Sequence, residues 1–263
     1  MSTALERHGA FAHRSRDWPV PVLEPRPDGT VERLAVRLGA GHPVFVFLAG
    51  MLAGLVLIAG LSIFLGFLVT HVVLHIDGTS AADERVNDWL AAHRTESRTH
   101  LSLIGSIMSG GVVLPVVVGV TALGCALLRR WRIAAFVVFV LGVESASYRI
   151  TTLVIHRHRP TVPRLEDLPV NASYPSGHTA AAIAVYCGIA LLLTSAIRNR
   201  TFTVAIWSIA VAIVVVEAAS RMYRGMHHPL DVAGGVVVGV ASLCALVLVA
   251  RAAAAADRQS GEA

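Results

Sequence analysis

Residues 44–69 read VFVFLAGMLAGLVLIAGLSIFLGFLV, a run without a single charged side chain. The hydrocarbon core of a bilayer is about 30 Å thick, so a helix needs about 20 apolar residues to cross it. This run is therefore long enough to span a membrane. Over the whole chain, 55% of the residues are hydrophobic and only 15% are charged, which is typical of an integral membrane protein.

Five more apolar segments follow, and together they predict an all-α, six-span transmembrane helical bundle. The second span is the least regular of the six. Gly110 and Gly111 separate it from a shorter apolar piece at 101–109, which is typical of a re-entrant segment. The five later spans cover approximately residues 111–128, 133–155, 179–197, 201–219 and 232–250.

The polar segments divide the chain into three parts. Residues 1–43 are rich in Arg, Pro and acidic residues before any long apolar run, so we predict a disordered cytoplasmic tail. Residues 44–250 form the six-span domain, and residues 251–263 form a cytoplasmic C-terminal tail. Between the first two spans, residues 81–92 carry apolar side chains at helical spacing opposite charged ones. This pattern predicts a helix at the membrane interface.

All 22 basic residues are Arg, and their distribution predicts the orientation of the chain. An even number of spans places both termini on one side, and the larger share of the Arg residues lies on that side, so we predict that it is cytoplasmic. Five of the other nine Arg residues gather in two outer connections, at 157–164 and 221–224. The fourth span begins on the same outer face.

Three sequence-distant segments therefore meet on the outer face: TTLVIHRHRP (151–160), PSGH (175–178) and SRMYRGMHHPLD (220–231). Their His residues could bind a metal, but the Arg residues in the same loops repel a divalent cation. Guanidinium groups instead bind an anion with several oxygens, and phosphate is the leading candidate. We therefore predict a phosphate site with no metal, no cofactor and no nucleic-acid partner.

The PSGH segment has the features of a phosphate-binding helix start. Ser176 is a good N-cap, and the unpaired backbone N–H groups of the first turn favour an anion. Gly177 has no side chain, so an oxygen can approach the backbone closely. His178 then lies beside the phosphoryl group as a candidate proton donor. Taken alone, the same residues could form only a helix cap and an interfacial histidine.

The third segment places His227 four residues before Asp231, with Pro229 suited to the first turn of the sixth span. One helical turn would let the Asp231 carboxylate accept a hydrogen bond from His227. The other ring nitrogen would then be free to attack phosphorus and form a phosphohistidine. Arg159 and Arg221 would stabilise the charge on the non-bridging phosphate oxygens.

Other charged residues near these segments receive less specific predictions. Glu217 either holds the guanidinium of Arg221, four residues later, or only makes a hydrogen bond between helices. Arg164 and Arg224 are expected to bind lipid head groups. Glu144 lies inside the third span, and we expect it to be neutral or paired there, without a catalytic role.

The three segments resemble the three-part signature of the type 2 phosphatidic acid phosphatase superfamily. The matching residues are Arg159-Pro160, Pro175-Ser176-Gly177-His178, and Ser220-Arg221 followed by His227 and Asp231. The resemblance covers about residues 152–231, and the six-span layout extends it. It implies a helical bundle with metal-independent phosphatase activity, with His227 as the nucleophile oriented by Asp231 and with His178 protonating the leaving oxygen. It also implies phosphate ligation by Arg159, Ser176, Gly177 and Arg221.

The sequence departs from the family pattern at one position. The first part of the signature begins with a Lys seven residues before the Arg, and Thr152 occupies that position here. A hydroxyl cannot replace an ammonium group. We hypothesise that the guanidinium of either Arg149 or Arg157 fills this place.

The sequence therefore predicts a multi-pass membrane phosphatase that acts on a lipid phosphate or polyprenyl diphosphate at the outer face. Membrane lipids are its other expected partners, and the sequence gives no oligomeric state. Two alternatives stay open: transfer of the phosphoryl group to a lipid or sugar acceptor, and a catalytically silent bundle that binds or transports lipids.

Overall fold

The structure, a computed structural model, describes residues 20–25, 29, 33 and 42–262. These residues form eight α-helices and two short 3₁₀ turns, and the described part of the chain contains no β-strand. The helices are α1 (Pro43–His71), α2 (Thr79–Ala92), α3 (Glu96–Met108), α4 (Val113–Leu127), α5 (Trp131–Val154), α6 (Gly177–Ala196), α7 (Arg200–Tyr223) and α8 (Pro229–Glu262).

Five of these helices are long and apolar enough to cross a membrane, namely α1, α5, α6, α7 and α8. The pair α3 and α4 is bent by 41° at a short break and forms a sixth crossing when it is counted as one span. The predicted all-α, six-span bundle is thus confirmed. The bend lies at Gly110 and Gly111, where the sequence indicates an interruption.

Helix α6 is the most buried span and lies at the centre of the bundle. Two glycines of α8, four residues apart, allow it to pack closely against α6. A Cβ at Gly235 would lie 2.5 Å from the Ser176 carbonyl oxygen, and one at Gly239 would lie 2.7 Å from that of Ala180. Small residues of this kind let helix backbones approach in membrane bundles. The start of α6 is therefore held against the start of α8.

One turn of α6, Ile183–Cys187, is a π-helix, so one extra residue is inserted between the first turns of α6 and the rest of the helix.

Helix α2 is the helix predicted at residues 81–92, and its polar side faces the protein. Val86 and Trp89 are exposed, whereas Asp83 and Asn87 are buried. The helix packs against α7 and the start of α8, so its polar residues lie beside the segment 220–231.

Residues 20–25 lie against the last turns of α8, at the end of the bundle away from the three motif segments. Helix α8 continues to Glu262, so the segment expected as a separate C-terminal tail is helical. Arg251 of this segment donates a hydrogen bond to the Val22 carbonyl oxygen (2.9 Å), and Arg258 pairs with Glu24 (2.8 Å). Most of the tail predicted to be disordered, 1–43, lies outside the described residues.

Candidate active site

The three motif segments border one cavity of about 440 Å³. It is lined by six residues from these segments: Thr152, Arg159, Gly177, His178, Arg221 and His227. The segments meet because α5 and α7 end where α6 and α8 begin. The convergence expected from the sequence is therefore present.

Arg221 has an incomplete set of hydrogen bonds. The residue is fully buried, and its Nη1 donates to Ser106 Oγ (2.6 Å) and to Glu166 Oε2 (2.7 Å). Its Nε and Nη2 have no partner in the described part of the chain. Unpaired N–H groups on a buried cation are costly. Since Arg221 lines the cavity, an anion bound there would complete its hydrogen bonds.

Glu166 holds this guanidinium, and sequence reasoning missed it. Burial raises the pKa of its carboxyl, but Arg221 and the hydrogen bonds from Arg221, Arg224 and Ser106 outweigh burial and lower the pKa to about 2. Glu166 is therefore ionised at neutral pH and fixes one end of the Arg221 side chain. The other end is left free to bind a ligand.

The structure decides between the two alternatives predicted for Glu217, and the prediction for Arg224 is wrong. Glu217 accepts a hydrogen bond from Thr179 Oγ1 (3.0 Å) and none from Arg221, so it joins helices instead of holding the guanidinium. Arg224 is buried and donates to Glu166 Oε1 (2.6 Å) and Ser102 Oγ (3.2 Å), so it is not exposed to lipid head groups.

The nucleophile candidate, His227, is oriented by a backbone carbonyl. Its Nδ1 lies 2.7 Å from the Ser173 oxygen but 3.9 Å from Asp231 Oδ2, which is too long for a hydrogen bond. The direct pairing predicted between His227 and Asp231 is therefore not formed. Nδ1 donates its proton to Ser173, which leaves the lone pair on Nε2. Burial and the positive charge of Arg221 lower the pKa of His227 well below its usual value, so the ring is neutral.

Asp231 cannot serve His227 because other donors occupy it. Its Oδ2 accepts from Ser173 Oγ (2.5 Å) and from the His228 backbone N–H (2.8 Å), and its Oδ1 accepts from Arg157. The carboxylate thus fixes Ser173, whose carbonyl in turn orients His227. Asp231 thus orients His227 through Ser173, whereas the sequence predicted a direct hydrogen bond between them.

The start of α6 agrees with the predicted cap but changes the reason for its glycine. Ser176 Oγ accepts from the Thr179 N–H (3.5 Å) as an N-cap and lies within 2.9 Å of Thr179 Oγ1. Ser176 is fully buried and does not line the cavity. A Cβ at Gly177 would lie 2.9 Å from the Tyr148 ring, so the glycine is required for this packing. His178 faces the cavity beside it.

Arg159 has a double role. It donates to three backbone oxygens, those of Pro169 (2.8 Å), Ala172 (3.0 Å) and Met226. These bonds join the connection between α5 and α6 to the segment 220–231. Three of its five N–H groups can make these bonds, which leaves donors for a bound ligand.

Helix α2 supports the segment 220–231, which carries His227, a role not predicted from the sequence. Asn87 Nδ2 donates to the carbonyl oxygens of Met222 (3.1 Å) and His227 (3.0 Å). Asp83 accepts from the Leu230 N–H (3.0 Å) and from Arg157. The interfacial pattern of residues 81–92 was visible in the sequence, but the partners of its polar residues were not.

Comparisons with known proteins agree with this geometry. The profile of the PAP2 superfamily matches residues 133–254, a range that contains every predicted site residue. The chain belongs to the PAP2 superfamily. It is a multi-pass membrane phosphatase of that superfamily, as the sequence motifs predict.

Two curated proteins and one solved structure are similar to this PAP2 chain. Phosphatidylglycerophosphatase B of Bacillus subtilis is 28% identical over 187 residues, which cover 68% of this chain and 88% of that protein. Undecaprenyl-diphosphatase of Sulfolobus acidocaldarius is 32% identical over 108 residues, covering 41% and 48%. A crystal structure of a transmembrane PAP2-type phosphatidylglycerolphosphate phosphatase from Bacillus subtilis matches with a TM-score of 0.62 at 25% identity. It covers 71% of this chain and 92% of that one.

Thr152 occupies the position at which the PAP2 signature has a lysine. Thr152 lines the cavity, and so does Arg149, one turn before it. Arg157 does not line the cavity. It is buried between Asp83 and Asp231 and binds both carboxylates. Of the two guanidiniums in our hypothesis, only that of Arg149 is available to a ligand, and the assignment to Arg157 is wrong.

Proposed function

We propose that this PAP2 protein removes the terminal phosphate from a lipid phosphate or polyprenyl diphosphate at the outer face of the membrane, through a phosphohistidine on His227 and without a metal ion. The observation that carries this proposal is the buried guanidinium of Arg221. Its unpaired Nε and Nη2 share a cavity with the neutral ring of His227 and with His178.

In the first step, the lone pair on His227 Nε2 attacks phosphorus and forms an N–P bond. The P–O bond to the lipid breaks, and the leaving oxygen takes a proton from His178. Arg159 and Arg221 stabilise the charge on the equatorial phosphate oxygens. In the second step, His178 accepts a proton from water. The water oxygen attacks phosphorus, the N–P bond breaks, and inorganic phosphate leaves.

The proposed sidedness is supported by the two ends of the bundle. The cavity lies where α5 and α7 end, and residues 20–25 pack on the far end of α8. The Arg excess on the side of the termini favours a cytoplasmic location for them. The site would then face the outside of the cell.

The substrate class is supported by the relatives and by the cavity. The similar proteins are named as phosphatidylglycerophosphatase and undecaprenyl-diphosphatase. The cavity continues from the charged residues to apolar ones on α4 and α5, such as Leu114 and Leu141. A lipid could place its phosphate at Arg221 while its tail leaves between these helices.

The test is phosphate release from a panel of lipid phosphates and diphosphates by the purified chain in detergent with a chelator present. Wild type should be active and should be inhibited by vanadate, which mimics pentacoordinate phosphorus. His227→Ala should lose activity by at least about 10³-fold. Loss of wild-type activity with the chelator would contradict the metal-free mechanism, and a phosphorylated lipid or sugar product would indicate transfer instead of hydrolysis.

A further inference from the structure

The apolar half of the cavity contains two buried polar atoms that the mechanism does not use. Glu144 on α5 and Ser109 at the break between α3 and α4 both line the cavity. Glu144 Oε1 and Ser109 Oγ are buried and have no hydrogen-bond partner among the described residues. Buried polar groups are nearly always paired, so a cavity lined by two unpaired ones is suited to a polar ligand atom.

Glu144 lies deeper in the bundle than the phosphate site. Tyr148 packs on Gly177 at the start of α6, and Glu144 is four residues before Tyr148 on α5. Four residues of helix rise about 6 Å. Glu144 is thus about one turn further from the outer face than the residues that would hold phosphate. The side chains around it in the cavity include Leu114, Pro115 and Leu141.

The surroundings decide which ligand atom fits. An ionised carboxylate among apolar side chains, without a cation, is strongly disfavoured, so Glu144 is neutral. Its Oε2 accepts a hydrogen bond from Ser145 Oγ (3.2 Å), which leaves Oε1 to carry the proton. The Ser109 hydroxyl is a second donor. Two neutral donors match an uncharged oxygen, whereas a phosphate at this depth would lack a cation.

We propose, resting on the function above, that Glu144 and Ser109 form a second subsite that donates hydrogen bonds to an ester carbonyl oxygen of a glycerolipid phosphate. In such a lipid, the ester carbonyls lie a few bonds from the phosphate, on the side of the tails. A polyprenyl diphosphate has its second phosphate and then hydrocarbon in this region, so it offers no neutral acceptor. The subsite selects acylated glycerol phosphates over polyprenyl diphosphates.

The test compares two lipids that differ only at the proposed contact: dioleoyl phosphatidic acid and its dialkyl ether analogue, which lacks the carbonyl oxygens. Binding is measured in nanodiscs by native mass spectrometry on the His227→Ala protein, so that turnover does not interfere. The ester should bind about tenfold more tightly than the ether, the value of one buried hydrogen bond. Glu144→Leu should abolish this ratio. Glu144→Gln, which still donates, should keep most of it, and Ser109→Ala should reduce it a few-fold.

Glu217→Leu is the matched control. Glu217 is as buried as Glu144 and also has an unpaired oxygen, but it does not line the cavity. This variant should leave the ester-to-ether ratio unchanged. Equal binding of the two lipids by the parent protein, or an equal loss for both lipids in Glu144→Leu, would overturn the subsite.

Turnover by the protein with intact His227 separates this inference from the proposed function. Hydrolysis of lipid phosphates without an ester preference would refute the subsite alone. An ester preference in binding, without hydrolysis of any lipid phosphate, would refute the phosphatase mechanism and leave the subsite standing. A lower kcat/KM of Glu144→Leu for phosphatidic acid, with that for farnesyl diphosphate unchanged, would support both.

Discussion

Arg221 is neutralised on one side and unpaired on the other. Glu166 and Ser106 bind its Nη1, while Nε and Nη2 have no partner among the described residues. Because Glu166 is already ionised, binding of a phosphate requires no proton to move at this position. In the proposed mechanism, the guanidinium is thus preorganised for the charge that develops in the transition state.

Arg221→Ala should lower kcat/KM by about 10²–10³, which is typical for removal of one preorganised donor to a developing oxyanion. Inhibition by vanadate should weaken in parallel. Arg164→Ala is the control, because Arg164 donates to the Leu168 carbonyl oxygen (2.8 Å) and does not line the cavity. Wild-type turnover by Arg221→Ala would contradict the assignment.

Replacement of Arg149 should affect substrate binding, whereas replacement of Arg157 should affect stability. Arg149 is an exposed residue at the cavity, so Arg149→Ala should raise KM by about tenfold with little change in the unfolding temperature. Arg157→Ala removes the guanidinium that pairs with both buried carboxylates, Asp83 and Asp231, and should lower the free energy of unfolding by roughly 3–5 kcal/mol. Thermal unfolding in detergent and steady-state kinetics measure the two effects.

Helix α2, predicted from the sequence only as an interfacial helix, supports the site through its polar side chains. Its spacing predicts a helix with one apolar and one polar side, and that prediction is confirmed. The polar partners could not be predicted, since the hydrogen bond from Asn87 to the His227 oxygen joins residues 140 positions apart. The hydrophobic periodicity of one helix indicates which residues lie on the same side, but it does not indicate which distant backbone atoms that side contacts.

Asn87→Ala should lower kcat by about 10–100-fold with a smaller change in KM, because a small displacement of the proposed nucleophile, His227, is costly. Asn87→Asp removes the Nδ2 donor but keeps the size of the side chain, so it should be impaired to a similar degree. Asp88→Ala, on the same helix, serves as the control. A stability defect with unchanged kcat would indicate that α2 is only a packing element.

His228 should make the stability of the fold depend on pH. Burial lowers the pKa of His228, but the hydrogen bonds and charges of Asp231 and Glu84 outweigh it, so the folded-state pKa is raised above the usual 6.5. A raised folded-state pKa means that protonated His228 stabilises the fold fully at pH below about 6.5. This contribution is lost as pH rises through the folded-state value. The unfolding temperature should therefore fall from about pH 6 to pH 9, and His228→Asn should flatten the profile.

The bundle as a whole depends on close contact between α6 and α8. Gly239 lies where a Cβ would meet the Ala180 carbonyl oxygen at 2.7 Å, and the spacing of Gly235 and Gly239 allows the two backbones to approach. This contact fixes the PSGH turn relative to Asp231, whose carbonyl oxygen accepts from the Ser176 N–H (2.9 Å).

Gly239→Val should destabilise the protein by at least about 2 kcal/mol, since neither backbone can yield. Gly124→Val on α4 is the control, because nothing lies within 4 Å of a Cβ there. Thermal unfolding in detergent measures the difference. Equal unfolding temperatures for the two variants would show that the close contact between α6 and α8 does not contribute to stability.

The sequence predicted the spans, the convergence of the three motif segments and six of the residues that line the cavity, because apolar length and motif spacing are local properties. It placed Asp231 near His227 correctly but assigned it the wrong partner, since helical spacing cannot show that Ser173 lies between them. Glu166 was missed for a related reason. It lies in an irregular connection, 55 residues from Arg221, and no periodicity marks it.

The π-helical turn Ile183–Cys187 determines how the first turns of α6 are rotated relative to the rest of the helix. One residue turns an α-helix by about 100°, so the inserted residue rotates the His178 turn by that amount relative to the half of α6 after Gly188. Deleting one residue from this turn would restore an uninterrupted helix without removing any group of the site. The imidazole of His178 would then point about a quarter of a revolution away from Arg221, and the helix would remain a membrane span with its proposed proton donor out of alignment.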